Sequence, residues 1–425
     1  MKKNLEYTEQ RPVSFLDIVA ATATGAEKYY WNRLAYQLTL IVTQKCNMRC
    51  TYCYDKSRVE KEADRQELSS DDFVKIIQDA RSLGVKQINF TGGEALLKVG
   101  IEKMLVACSG ASLNLCTNGT VLEERLPDLA GIAFEKLHIH SSLDGLDSHV
   151  RYAKNGTTAN QLLGIMRKTK EKIPDVYISL NTVINRENIY EFRDMHDAIV
   201  DSGVDKWTIS TPYVVSEVVR NNHPFPEFEE LAKEVEKLLK KHFLLGEPIR
   251  LSIGGFYKYE MFGIKTIPAN RMDDHPCMPN CNGARGLIID SFGNVLDCLL
   301  DNTKEKAVLK NFRKGTIVNL TQDIIGRPFY EMKIKEIYQC RDCRYLKLCG
   351  TGCRYNSKVM FGDYFSPDPI RCSYYPLMEK YVMPLLTERR RDKVLRYLNL
   401  KGSMPPYIFR GTPEMFEAME SLSRG

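Results

Sequence analysis

A regular alternation of strand-like apolar runs and helical periods, from Leu34 to about Gly255, constrains the fold of this chain more than any other feature. The predicted strands are Tyr36–Thr43, Gln87–Thr91, Leu113–Thr117, Lys136–Leu143, Val176–Val183, Lys206–Tyr213 and Ile249–Ile253. The predicted helices are Ser70–Leu83, Asn160–Lys172, Ile189–Asp201 and Phe228–Phe243, the first of them preceded by a capping box at Ser69 and Asp72. This spacing of strand, helix and strand predicts an α/β protein with a parallel sheet, and six such units fit an incomplete TIM-like barrel.

Polar residues occupy every second position near the ends of several predicted strands. They are Gln87, Asn89 and Thr91, then Asn114, Cys116 and Asn118, then His138, His140, Ser142 and Asp144, and then Ser179 and Asn181. The alternate positions are apolar, as at Phe90 and Ile139. Parallel strands are normally covered on both faces, so we expect helices over the apolar face and a wet, ligand-holding lumen on the polar one. The alternative is that the polar positions are edge or solvent faces.

Three cysteines, Cys46, Cys50 and Cys53, directly follow the first predicted strand. Three thiolates bind only three irons of a four-iron, four-sulfur cluster, whereas ordinary cluster sites use four cysteines. The fourth iron would stay open to a small chelating ligand. The alternatives are a zinc site, which usually closes at four ligands, or three unrelated core cysteines.

With Tyr52 directly before its third cysteine, this triplet resembles the radical S-adenosylmethionine (SAM) superfamily. In that family the open iron binds the amino and carboxylate groups of SAM. The resemblance implies a partial (β/α)6 TIM-like barrel, and parallel barrels place their ligands at the C-terminal ends of the strands. The position of the triplet after the first strand agrees with that rule.

The segment Gly92-Gly93-Glu94 follows the second predicted strand and matches the family motif that holds the SAM amino group. Glycines let a backbone approach a ligand closely, and a carboxylate can accept hydrogen bonds from an ammonium group. Taken alone, the tripeptide is also compatible with an ordinary strand-to-helix turn.

The resemblance implies SAM contacts for five further residues. Asn118 lies at the end of the third strand, Ser142 and Arg151 would lie near the SAM carboxylate, and Asn181 would lie by the ribose. A guanidinium is a good bidentate partner for a carboxylate, although a surface salt bridge explains Arg151 equally well. Tyr52 would lie on the adenine side, with simple packing as the alternative.

A second set of cysteines resembles the SPASM extension that follows many radical SAM barrels. The resemblance implies two auxiliary four-iron clusters. Cys340, Cys343, Cys349 and Cys372 would hold one cluster, and Cys281, Cys298 and Cys353 would hold the other, with Cys277 as its natural fourth ligand. Cys277 is open: without it, one auxiliary iron could bind substrate directly. A zinc ribbon is the alternative for the stretch from Cys340 to Cys353.

These three sets account for all but two of the 13 cysteines. The two that remain are Cys108 and Cys116. We expect the two to be small core residues. Such spacing in a reducing compartment favours metal ligation over disulfides, and no signal peptide or spanning segment is evident, so we expect a cytoplasmic protein without membrane contact. The net charge of +6 would be nearly neutralised by three clusters, and we expect no nucleic-acid partner.

Four segments follow from these patterns: an N-terminal extension over residues 1–33, the partial barrel over 34–265, the auxiliary-cluster domain over 270–375 and a helical segment over 376–425.

The resemblance implies reductive cleavage of SAM, with electrons from a flavodoxin- or ferredoxin-type donor, and hydrogen abstraction from a substrate carbon. The favoured interpretation is oxidation or crosslinking of a peptide or protein. The alternatives are a dehydrogenase acting on a small molecule such as an aminosugar, and a non-catalytic iron–sulfur electron carrier. Asp301 and His140 are weak candidates for a proton-accepting role.

Overall fold

The computed structural model describes residues 37–53, 66–149, 156–213, 225–259, 286–300 and 332–411. Within these residues one ten-stranded sheet organises the fold, in the order β10-β9-β1-β2-β3-β4-β5-β6-β7-β8. Its strands are β1 (Gln37–Ile41), β2 (Gln87–Thr91), β3 (Ser112–Cys116), β4 (Lys136–Ser142), β5 (Tyr177–Val183), β6 (Lys206–Ser210), β7 (Arg250–Ile253), β8 (Tyr257–Lys258), β9 (Leu287–Ile289) and β10 (Val295–Leu296). Strands β9 and β1 to β7 are parallel, and β8 and β10 are antiparallel edge strands.

A helix follows each of the first six strands, which agrees with the predicted six-unit partial barrel, although only four of these helices were predicted individually. These helices are α1 (Ser70–Ser82), α2 (Ile101–Ala107), α3 (Leu122–Ala130), α4 (Ala159–Lys172), α5 (Phe192–Asp201) and α6 (Phe228–Leu244). The C-terminal described region is largely helical, with α7 (Leu346–Cys349), α8 (Arg354–Phe361), α9 (Pro369–Leu377), a π-helical turn at Met378–Val382 and α10 (Glu388–Leu395). No helix in the described part of the chain combines the length and apolarity needed to span a membrane.

Local signals explain where these elements begin and which face they bury. The Ser69 hydroxyl accepts a hydrogen bond from the Asp72 amide at 3.1 Å, and the Asp72 carboxylate accepts from the Ser69 amide, as the predicted capping box requires. Phe90 and Ile139 are fully buried on the apolar face of the sheet. On the opposite face, Asn89 donates to Thr39 at 2.9 Å. The polar positions therefore form a half-buried, cross-strand network rather than a solvent face.

Two features differ from the sequence prediction. Helices α2 and α3 were not predicted, because they are short and α3 contains a proline, Pro127. Strand β9 is not among the seven predicted strands, and it pairs in parallel with β1 through Leu287 and Leu38. A three-residue strand carries too little alternation to be read from sequence, and its position depends on the free edge that β1 offers.

Candidate active site

The loop that carries Cys46, Cys50 and Cys53 leaves the C-terminal end of β1 and packs against the turn after β2. The Gly93 amide donates to the Thr43 carbonyl at 2.8 Å, and the Glu94 amide donates to the Lys45 carbonyl at 2.8 Å. A Cβ on Gly93 would overlap the Lys45 carbonyl and lie 2.6 Å from the Gln44 carbonyl oxygen. In the structure these glycines permit a close approach to the backbone of the cysteine loop.

A buried ion pair supports the same loop from its outer side. One oxygen of Glu67 accepts hydrogen bonds from the Gln44 amide at 2.6 Å and the Thr43 hydroxyl at 3.0 Å. Its other oxygen accepts from the ammonium of Lys98 at 3.1 Å, and the Lys98 side chain is only 8% exposed. Sequence reasoning missed both residues, because neither belongs to a recognisable motif.

Glu94 is fully buried, and its carboxylate bonds to the protein itself. One oxygen accepts from the Leu96 amide at 3.1 Å and the Thr117 hydroxyl at 2.8 Å, and the other accepts from the Asn118 amide at 2.6 Å. Burial raises its pKa, although these hydrogen bonds act in the opposite direction. Glu94 thus ties the end of β2 to the end of β3, a role that the motif alone did not indicate.

Asn118 extends this network to the cysteines. The side-chain nitrogen of Asn118 donates to the side-chain oxygen of Asn47 at 2.9 Å and lies 3.9 Å from the Cys46 sulfur. The same sulfur accepts from the Met48 amide at 3.4 Å. The structure therefore brings the predicted strand-three residue against the first cysteine of the triplet.

Tyr52 connects the third side of the loop to β4 and β5. Its hydroxyl donates to the carboxylate of Asp144, which also accepts from the Val183 amide at 2.9 Å. Asp144 is fully buried, and this burial raises its pKa to about 6. The Tyr52 side chain also hydrogen-bonds Cys50, whose thiol pKa is raised to about 12 by burial and then by Asp144. The hydroxyl of Tyr52 is thus committed to protein partners, and Asp144 acquires a role that the sequence did not assign.

The remaining predicted lumen residues lie on β4 and β5. Ser142 and Asn181 are opposite each other in the strand register, and both are half-buried. His140 and His138 share the hydroxyl of Ser179, with ring nitrogens 2.6 and 2.7 Å from its oxygen. Burial lowers the pKa of both imidazoles to about 4, so they are neutral at neutral pH.

Four cysteines assigned to one auxiliary cluster, Cys340, Cys343, Cys349 and Cys372, line a single cavity in the C-terminal region. Asp368 and Tyr375 contribute to the same wall. Burial raises the pKa of all four thiols, to about 12 for Cys340, and neighbouring thiols further raise the pKa of Cys340, Cys349 and Cys372. Bringing four such groups together fits a cationic metal centre that displaces their protons.

Asp368 links this cavity to another predicted ligand. As the N-cap of α9 it accepts from the Ile370 amide at 3.1 Å, and its other oxygen accepts from the Cys353 amide at 2.8 Å. The left-handed Gly352 is required here, because a Cβ would overlap the Asp368 side chain. One buried carboxylate therefore positions both Cys353 and the helix that carries Cys372.

The other predicted positions fall into two groups. Cys298 is buried just after β10, and Cys108 lies in the apolar core as expected. Cys277, Cys281, Arg151 and Asp301 lie outside the described residues.

The donor spacing bears on which metal group fits. Among the described residues, no three His, Cys, Asp or Glu side chains converge tightly enough to hold a single ion. A zinc ion needs donors within about 2.0–2.3 Å of one point. A four-iron cluster spreads its thiolates around a larger core, and four cysteines lining one cavity suit such a group.

Comparison with known proteins agrees with this geometry. The Radical SAM superfamily model matches residues 40–199, which include the end of β1, the cysteine triplet and β2 to β5. Residues 40–199 form a radical SAM domain, and the resemblance drawn from the triplet is confirmed.

Two curated relatives differ in how much of the chain they match. GTP 3',8-cyclase of Rhodococcus opacus is 28% identical over 181 residues, 41% of this chain and only 50% of the relative. PqqA peptide cyclase of Bradyrhizobium diazoefficiens is 24% identical over 354 residues, 80% of this chain and 86% of the relative.

Two solved structures share the fold at low identity. Native anSMEcpe with bound AdoMet has a TM-score of 0.62 at 17% identity, covering 85% of this chain and 99% of the other. Streptococcus suis SuiB bound to its precursor peptide SuiA has a TM-score of 0.59 at 17% identity, covering 78% and 76%. The predicted α/β architecture with a cysteine-rich C-terminal region is confirmed.

Proposed function

We propose that this protein is a peptide-modifying radical SAM enzyme with a SPASM-type auxiliary-cluster region. The observation that carries the proposal is the cysteine triplet at the C-terminal end of β1, anchored by the Gly92-Gly93-Glu94 turn inside a radical SAM domain. When bound, a four-iron cluster and SAM would together supply a 5'-deoxyadenosyl radical that abstracts hydrogen from a substrate carbon.

The residues of this chain would hold and shield that chemistry. Cys46, Cys50 and Cys53 would bind the cluster, and the half-buried polar positions Ser142 and Asn181 would face the SAM carboxylate and ribose, joined by Arg151. Glu94 and Tyr52, whose side chains hydrogen-bond other residues of the protein, would position the cysteine loop. Any direct contact of these two residues with SAM would be additional to that role. The buried strand ends would exclude water from a reactive radical.

A peptide or protein substrate is supported by the relatives that cover most of the chain. PqqA peptide cyclase and the peptide-bound SuiB both match more than three quarters of it. Net oxidation or crosslinking would follow if electrons from the substrate passed to the auxiliary clusters. A flavodoxin- or ferredoxin-type donor would supply the initial electron.

A small-molecule substrate is the second candidate function. The similarity to GTP 3',8-cyclases favours it, because a second such enzyme, from Clostridium botulinum, matches 70% of this chain at 24% identity. The auxiliary cysteine set could serve an aminosugar-type dehydrogenase equally well. Deuterium transfer from labelled candidate substrates into 5'-deoxyadenosine separates the two candidates directly.

The proposal is tested by iron analysis and SAM cleavage after anaerobic reconstitution and reduction. We expect about twelve irons per chain from three clusters, and 5'-deoxyadenosine as a product. The Cys46/Cys50/Cys53 triple alanine variant should keep about eight irons and lose all cleavage. The matched control, Cys108→Ala, removes a core thiol and should keep both. Cleavage retained by the triple variant would reject the assignment, and a reduced wild type without cleavage would favour an electron carrier.

A further inference from the structure

Arg371 lies between the barrel sheet and the four-cysteine cavity. It directly precedes Cys372 on α9, and its guanidinium reaches the turn that follows β7. One guanidinium nitrogen lies 3.2 Å from the Cβ position of Gly255 and 3.5 Å from that of Gly254. This turn lies at the C-terminal edge of the sheet, where the cysteine triplet also lies.

Arg371 lies four residues before Tyr375 on α9, so the two side chains share a helix face that borders the cavity, and Asp368 is the carboxylate close to this charge. Among the described residues, no hydrogen bond or ion pair engages its guanidinium, which is half-buried. Arg371 and Asp368 both lie near the Cys349 side chain and act on it with opposite charges. Tyr375, which lines the cavity, also interacts with this guanidinium.

A second guanidinium near the cavity has a different function. Arg354 is fully buried and donates to the backbone carbonyls of Thr351, Tyr364 and Ser366, the last two at 2.9 and 2.8 Å. Its hydrogen bonds hold the loop shape, so replacing it would disturb the fold. Arg371 makes no such bonds, which makes its charge experimentally separable.

We propose that Arg371 raises the reduction potential of the iron–sulfur cluster that Cys340, Cys343, Cys349 and Cys372 would hold. Reduction adds one negative charge to the cluster, and a nearby cation in a poorly solvated setting stabilises that added charge. A raised reduction potential makes this cluster a better acceptor for electrons that come from the barrel. The guanidinium lies on the side of the cavity that faces the barrel. The inference rests on the proposed function, since it requires the cluster.

The test is a redox titration of the full chain, monitored by electron paramagnetic resonance. The Cys46/Cys50/Cys53 triple alanine background removes the signal of the reactive cluster. In that background, Arg371→Gln should lower the midpoint potential of one auxiliary cluster, and Arg371→Lys should retain most of the wild-type value. The matched control is Arg341→Gln, which removes the same charge next to Cys340 from an exposed side chain that stacks on Tyr338 at 4.5 Å. It should leave the potential unchanged.

Each outcome is decisive. Equal potentials in the Gln variant and its background, at equal iron content, would overturn the proposal. If Arg371→Gln loses iron, the Arg371→Lys variant decides the test. A midpoint potential equal to that of the triple alanine protein supports a charge effect. A clearly lower midpoint potential in the Lys variant refutes it. A background protein without auxiliary iron would refute the cluster assignment itself, and the role of Arg371 with it. That result is distinct from a SAM-cleavage failure.

Discussion

Replacing Gly93 by alanine tests whether the cysteine loop is held by direct backbone packing. The φ angle of Gly93 is outside the left-handed region, so alanine can adopt its conformation. The cost is steric, because the added methyl group would overlap the Lys45 carbonyl and press on the Gln44 carbonyl oxygen 2.6 Å away. Both obstacles are backbone atoms, so the loop itself must move.

The magnitude follows from the contacts that this movement breaks. Overpacking a close contact costs about 1–3 kcal/mol. The Gly93-to-Thr43 and Glu94-to-Lys45 hydrogen bonds contribute about 0.5–1.5 kcal/mol each. We therefore expect a destabilisation of about 2–6 kcal/mol, with the damage centred two residues before Cys46.

The assay combines thermal unfolding with iron analysis of reconstituted protein. Gly93→Ala should lower the midpoint by at least about 4 °C, and it should lose about four of about twelve irons. Gly164→Ala is the matched control, since no atom lies within 4 Å of its added methyl group in helix α4. Alanine in a helix stabilises by about 0.5–1 kcal/mol relative to glycine, so the control should melt no lower than wild type. Matching midpoints and iron contents in the two variants would refute the packing argument.

Three further predictions concern buried titratable groups. Glu94→Gln should destabilise by about 1–3 kcal/mol, because a glutamine side-chain nitrogen that faces the backbone amide of Asn118 cannot accept its hydrogen bond. The control is the exposed Glu123→Gln, which should cost less than about 1 kcal/mol in the same melting experiment. His242 is buried, with a pKa lowered to about 4 by burial, so it contributes stability that is complete above pH 6.5 and declines as the pH falls toward 4. In urea titrations followed by tryptophan fluorescence, His242→Phe should therefore lose about 1–2 kcal/mol less than wild type between pH 7 and 5, and parallel losses would contradict this. Asp368→Ala should reduce the iron content of the auxiliary-cluster region while sparing SAM cleavage, because it releases both the Cys353 amide and the start of α9. An unchanged iron content would contradict the linking role of Asp368.

The parts of the fold that could be predicted from sequence are those that depend on residues close together in the chain. The capping box at Ser69 and the alternation around Phe90 depend on residues two or three positions apart, and both were predicted. Strand β9 depends on pairing between Leu287 and Leu38, which are far apart in sequence. No local pattern in three residues specifies such a partner.

The site shows the same division. The spacing of the cysteines identified the candidate ligands, and four of the auxiliary set do line one cavity. The partners of Tyr52 could not be foreseen, because Asp144 is 92 residues away and becomes a neighbour only when β1 and β4 share a sheet. Likewise, the motif identified Glu94 but not its three hydrogen-bond donors, which come from its own turn and from the end of β3.

Three buried or nearly buried carboxylates hold the cysteine loop, and each comes from a different segment of the barrel. Glu67 binds the start of the loop, Glu94 acts through Asn118 beside Cys46, and Asp144 acts through Tyr52 beside Cys50. Each carboxylate also accepts a backbone amide that a strand end or turn leaves unpaired, so burying its charge is compensated by hydrogen bonds. The conformation of the triplet is therefore a property of the assembled sheet, and the proposed iron binding at these thiols would be coupled to folding of the whole barrel.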